Sequence, residues 1–192
     1  MSLLKRIRAA LGAQTPRDGM IDSYQPTEFE EATGLRTYPP KVLLKDQGVF
    51  AYRLEFAAFE ADAARVVGAL AATFNWPNRA PFQDGQARRG DKSAHFSIRF
   101  EFHGAVVVIV TNSAAFIEKI EALNTEPPPP WIAFPDVDPS TLGALQGSME
   151  YWWDWLFSPF WSALDEGQRA SYLSRFPPPH ADWSEFLSTR EQ

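Results

Sequence analysis

Cysteine is missing from the chain altogether. Disulfides, thiolate zinc sites, iron–sulfur ligation and cysteine nucleophiles are therefore excluded together, and a reducing compartment, the cytoplasm, is the expected location. Histidine is scarce: His95, His103 and His180 are the three present. None of them stands in an HxH, HxxxH or H-E-x-x-H spacing, so no metal site is expected. Long apolar runs are lacking too. The run 104–110 is far too short to cross a bilayer, and the N-terminus has neither the apolar stretch nor the small-residue cleavage site of a secretory signal, so no membrane span is expected. G-x-S-x-G, Walker A and G-x-G-x-x-G strings do not occur, which removes the sequence signatures of serine hydrolases, P-loop proteins and Rossmann folds. No catalytic residue and no cofactor can be assigned from motifs.

What is present is unevenly distributed. The net charge is −6 over 192 residues. Nine acidic and three basic residues follow Pro130, whereas fifteen of each precede it, so the whole imbalance lies in the C-terminal third. That third also holds six of the seven tryptophans: Trp131, Trp152, Trp153, Trp155, Trp161 and Trp183. A phosphate backbone needs a positive footprint, so nucleic acid is not an expected partner.

Along the chain, Leu3, Leu4, Ile7 and Leu11 recur at helical spacing among basic residues, which predicts a short basic amphipathic helix over 2–12. Residues up to 47 carry scattered prolines and read as an irregular arm. Strict alternation then sets in. Phe50, Tyr52, Leu54 and Phe56 alternate with Ala51, Arg53 and Glu55, the period of a half-buried strand. Ala63, Val66, Val67, Leu70 and Phe74 form a helical stripe that ends near Trp76-Pro77, and a polar loop is expected over 77–93. Phe96, Ile98, Phe100 and Phe102 alternate with His95, Ser97, Arg99 and Glu101 before the run 105–110, and a His103-Gly104 turn would make these two segments a hairpin. In that register Ile98 opposes Ile109 and Arg99 opposes Val108. Asn112 or Ser113 can cap a further helix with the stripe Phe116, Ile117, Ile120 and Leu123.

The resulting order β-α-β-β-α predicts an α+β fold, a small sheet that a ferredoxin-like arrangement would suit. Pro127 to Pro130 form a stiff spacer into a helical segment. Leu142, Leu145, Met149, Trp152 and Leu156 predict a helix starting at Asp138-Pro139 and broken at Pro159, and Asp165 with Gln168 reads as a capping box. Val106, Val108 and Val110 would line an exposed sheet face unless the Trp-rich C-terminal helices cover it. Residues 1–192 are thus expected to form one domain, built as an arm (1–47), a sheet and helix core (48–126) and a Pro/Trp-rich cover (127–192).

Two sets of residues are candidates for function. On the Trp-rich helix, Glu150, Tyr151, Trp153, Asp154 and Trp155 combine acidic charge with large aromatic anchors, the residue types of protein interfaces. One helix cannot turn all its rings inward, so some are expected to face a partner. On the sheet, His95, Arg99 and Glu101 share a strand face with Ser97, and with Glu150 and Asp154 they could line a pocket between the sheet and the tryptophan helices. Residues two apart on a strand stand about 7 Å apart, so cross-strand Arg–Glu pairing on a solvated face accounts for the same row. In size, charge and composition the chain resembles the immunity proteins that bacteria use against their own toxins. That resemblance implies a non-enzymatic protein that binds a basic or toxic protein partner; a small-ligand binder or enzyme is the alternative.

Overall fold

The computed structural model describes residues 17–76 and 84–190. The helix expected over 2–12 lies outside the described residues, as does the 77–83 part of the expected polar loop. Eight helices and five strands appear within them: α1 (Arg17–Ser23), β1 (Lys41–Leu43), β2 (Tyr52–Ala58), α2 (Glu60–Phe74), β3 (Gly85–Arg89), β4 (Lys92–Glu101), β5 (Gly104–Thr111), α3 (Ala114–Ala122), α4 (Pro130–Ala133), α5 (Gly147–Trp152), α6 (Ser158–Ala163), α7 (Glu166–Arg175) and α8 (Ala181–Thr189). The fold is α+β. Its sheet is antiparallel throughout, in the order β1-β2-β5-β4-β3.

The segment from β2 to α3 supplies the β-α-β-β-α order. β2 and β4 run parallel with β5 inserted between them, which is the split β-α-β of ferredoxin-like sheets. The edge beside β2, where a last strand would lie in such a sheet, is filled from the other direction by β1. β3 lies where a loop was expected. Its sequence, Gly-Gln-Ala-Arg-Arg, shows little apolar alternation because it is an edge strand with four of five side chains at least partly exposed.

The hairpin turn sits one residue earlier than the sequence suggests. Glu101 pairs with Gly104, and the turn residues are Phe102 and His103, with φ of 59° and 54°. Two left-handed residues in a two-residue loop match the twist of the strands. The pairing consequently moves by two: Ile98 opposes Val107, Phe100 opposes Ala105 and Arg99 opposes Val106. An even shift leaves every side chain on its face. Phe102, expected on the inward row, instead packs against Phe134 and Tyr151 at 5.4 and 6.2 Å between ring centroids. Gly104 is required here, because a Cβ would lie 2.5 Å from the Ala58 carbonyl oxygen and 2.8 Å from Pro128 Cγ.

One sheet face packs under α2 and α3. The stripe Ala63, Val66, Val67, Leu70 and Phe74 is buried against Leu54, Phe56, Phe96, Ile98, Val107 and Ile109. Ser113 starts α3 by accepting the Phe116 amide at 3.2 Å. Phe100 belongs to the same row, but near the strand end it is 49% exposed.

The opposite face has two covers. The C-terminal helices bury Val106 and Ala57, whereas Met20, Tyr24, Leu44 and Val49 of the N-terminal arm bury Val110. The helix expected from Asp138 begins only at Gly147, whose φ of +61° breaks the run; Pro139–Thr141 form a short 3-10 turn. Pro159 does not end the helix either. It has no N–H to give to the carbonyl four residues back, and the ladder widens before it into a π turn over Trp153–Phe157, with the Ser158 amide bonded to the Trp153 carbonyl. In an α-helix, 152/156/160 and 153/157/161 would form two stripes about 100° apart. The wide turn swings them together, so Trp152, Trp153, Leu156, Phe157, Phe160 and Trp161 are all buried.

Candidate functional site

Between the two covers the sheet carries polar groups that neither one seals with apolar contacts. The register explains their layout. β5 contributes only Val106, Val108 and Val110 to this face, while Arg53 and Glu55 stand on β2 and His95, Ser97, Arg99 and Glu101 on β4. With a valine between them, charged residues of β2 and β4 have no direct cross-strand partner. Ion pairs accordingly run along each strand: Arg53 with Glu55 at 2.5 Å and Arg99 with Glu101 at 2.9 Å. The row expected to be solvated is largely buried, with Arg53, Glu55, His95 and Ser97 between 1 and 7% exposed. Glu101 at the strand end is exposed.

Each cover reaches into this strip with one tyrosine. From the C-terminal side, the Tyr151 hydroxyl donates to Glu55 Oε1 at 2.7 Å and also meets the Arg99 guanidinium. Burial and then the Glu55 carboxylate push the Tyr151 phenol well above its ordinary range, so it remains a donor. From the N-terminal side, the fully buried Tyr24 donates to the Val110 carbonyl at 2.6 Å, accepts the His95 amide at 3.1 Å and lies 2.7 Å from His95 Nδ1. Tyr24 has one hydroxyl proton, and the carbonyl can only accept. The network therefore assigns the imidazole proton to Nδ1. Burial lowers the His95 pKa and keeps the ring neutral. Arg53 Nε and Ser97 Oγ are buried in the same strip without a hydrogen-bond partner. Ser97 makes no bond to His95, so no nucleophile and base are paired there.

Nothing in the arm's sequence marked Tyr24, because it acts through its hydroxyl and stands outside any apolar period. The five residues singled out on the Trp-rich helix separate in the structure. Tyr151 joins the polar strip, and Trp153 is 7% exposed, packed edge-on to Phe186 at 5.1 Å with the Arg190 guanidinium over its ring. Glu150 and Asp154 are exposed and Trp155 is half-buried between them. Neither acid joins His95, Arg99 or Glu101 in a hydrogen bond or ion pair.

The surface of the C-terminal layer is distinctive in its charge. Asp136, Asp138, Glu150, Asp154, Asp165, Glu166, Asp182 and Glu185 are all exposed. Among the described residues none of the eight takes part in an ion pair. The layer's own cations are turned elsewhere. Arg175 binds Glu126 in two contacts, Arg169 lies over the Trp161 ring and Arg190 over Phe186. Hydrogen bonds from Ser140 hold the Asp138 carboxyl below its usual range, and Asp165 is engaged as a helix cap in the expected capping box. Asp136, Asp138 and Asp182 flank a cleft of about 470 Å³ walled by Trp131 and Trp183. Among the described residues no group of carboxylates and imidazoles is placed to hold a metal ion, and no helix is long and apolar enough to cross a membrane. Comparison with protein-family models, with curated proteins and with solved structures gives no match.

Proposed function

We propose that this protein is a non-enzymatic binder of a basic protein partner, of the kind by which an immunity protein masks a toxin. The observation that carries the reading is the set of eight exposed carboxylates on the C-terminal layer, none of them ion-paired among the described residues. Unneutralised charge of one sign steers an oppositely charged partner and speeds its association. Glu150 and Asp154, one helical turn apart beside half-buried Trp155, join that charge to an aromatic anchor. Trp153, being core, contributes by holding the layer in place.

The test compares wild type, the double change Glu150→Gln with Asp154→Asn, and Trp155→Ala. Proteins retained from host extract are identified, and association of each with the purified chain is followed across salt concentrations. The expected result is a basic partner whose association with the double variant is slower, chiefly at low salt. Trp155→Ala should weaken that complex by about 2 kcal/mol, a hot-spot magnitude, with the melting curve retained. Retention of the same proteins by all three chains with the same salt dependence would overturn the reading.

A further inference from the structure

The N-terminal arm, the end of α3 and helices α6 and α7 enclose an open cleft of about 610 Å³, a volume suited to a small organic ligand. One wall is apolar, formed by Pro39, Phe160 and Leu164; the other carries Arg36, Thr125, Gln168 and Ser171. The charges around it do not cancel. Glu126 is neutralised by Arg175 through bonds of 2.6 and 2.8 Å. Glu121 is neutralised by Lys41 at 2.6 Å and also accepts the Arg36 amide at 3.0 Å. The Arg36 guanidinium has no carboxylate of its own among the described residues: Nη1 donates to the Glu121 carbonyl at 3.3 Å and to Asn124 Oδ1 at 2.7 Å.

Those two bonds fix the guanidinium plane and leave its remaining N–H groups for one further acceptor. A carboxylate matches that fork in shape and charge. Thr125, on the same cleft, is 3% exposed and its hydroxyl is buried without a hydrogen-bond partner. A buried polar group in that state is costly to the fold until something bonds to it. We propose that this cleft binds a small amphipathic monocarboxylate, its carboxylate on Arg36 and its apolar body against Phe160 and Leu164. One net positive charge calls for a single negative charge on the ligand, and the apolar wall calls for a hydrocarbon or aromatic remainder. The site lies apart from the residues of the proposed partner surface and does not depend on them.

The test is calorimetric titration of the full-length protein with hexanoate and phenylacetate, each set against its neutral amide. The expected result is saturable one-site binding of at least one carboxylate, weakened about tenfold or more in the amide and in Arg36→Gln, the scale of one charge-assisted contact. Arg36→Lys, which keeps the charge but loses the fork, should lie between. Ser171→Phe, a change at an exposed position lining the cleft, should abolish binding with the melting curve retained, and it decides the matter if Arg36→Gln does not fold. Absence of saturable binding by both carboxylates, equal binding of acid and amide, or undiminished binding in Ser171→Phe would overturn the proposal.

Discussion

Tyr24→Phe removes one oxygen atom and leaves a ring that fits the same space, so its effect reads the hydroxyl alone. That hydroxyl makes three contacts, at 2.6 Å to the Val110 carbonyl, 2.7 Å to His95 Nδ1 and 3.1 Å to the His95 amide. A net contribution of about 0.5–1.5 kcal/mol applies to each. The Nδ1–H bonds only to Tyr24, and a buried donor left unsatisfied costs roughly 1–3 kcal/mol. The expected loss is on the order of 3–5 kcal/mol, a large fraction of the roughly 5–15 kcal/mol that holds a domain folded. Tyr38→Phe is the matched control. Its hydroxyl is 3.4 Å from the Ala57 carbonyl, beyond the usual range for an O–H donor, so less than about 1 kcal/mol should be lost. Urea unfolding of both variants, with unchanged denaturant dependence, gives the comparison. Losses of equal size, or a Tyr24→Phe loss below about 1 kcal/mol, would refute the idea that this hydroxyl locks the arm to the sheet.

Phe96, 2% exposed, and Phe100, 49% exposed, share a strand face, so Phe96→Ala should cost about 3–5 kcal/mol and Phe100→Ala less than half of that. Equal losses in urea would contradict the placement of the strand end. His95 has a lowered pKa in the fold through burial, so on acidification the unfolded imidazole takes up its proton first, near pH 6.5. Stability should therefore be level above that pH and fall as pH drops through it toward the lower folded value. Unfolding midpoints measured between about pH 5 and 8 should show that decline flattened in His95→Gln, and parallel profiles would refute the assignment.

Much of the sheet and both of its core helices are legible in the sequence, because period two and period 3.6 are read directly from apolar side chains. All five stripe residues of α2 are buried as expected. What escapes the sequence is whatever does not depend on apolar periodicity. β3 is short and almost wholly polar, and β1 is three residues long. The turn at Phe102 and His103 places two non-glycine residues at positive φ, and the contacts of Phe102 with Phe134 and Tyr151, more than thirty residues on, accompany that choice. The candidate site was half legible. The alternation put His95, Ser97, Arg99 and Glu101 on one face correctly, but a single strand does not tell whether its polar face meets water or a second layer. Only the register, with valines in the middle strand, shows why the charged groups pair along strands instead of across them.

The wide turn at Trp153–Phe157 makes this part of the chain sensitive to length more than to composition. It behaves as one extra residue spliced into a helix. Loss of a single codon there would let an ordinary α ladder close, turning everything that follows by about 100° about the axis. Phe160 and Trp161 would leave the face they share with Trp152, and helices α7 and α8 would be carried away with them. Conservative replacement of one ring within the five residues disturbs one contact, whereas deletion dismantles the cover. Selection acting on gene length at this point is thus stricter than selection on any one of its side chains.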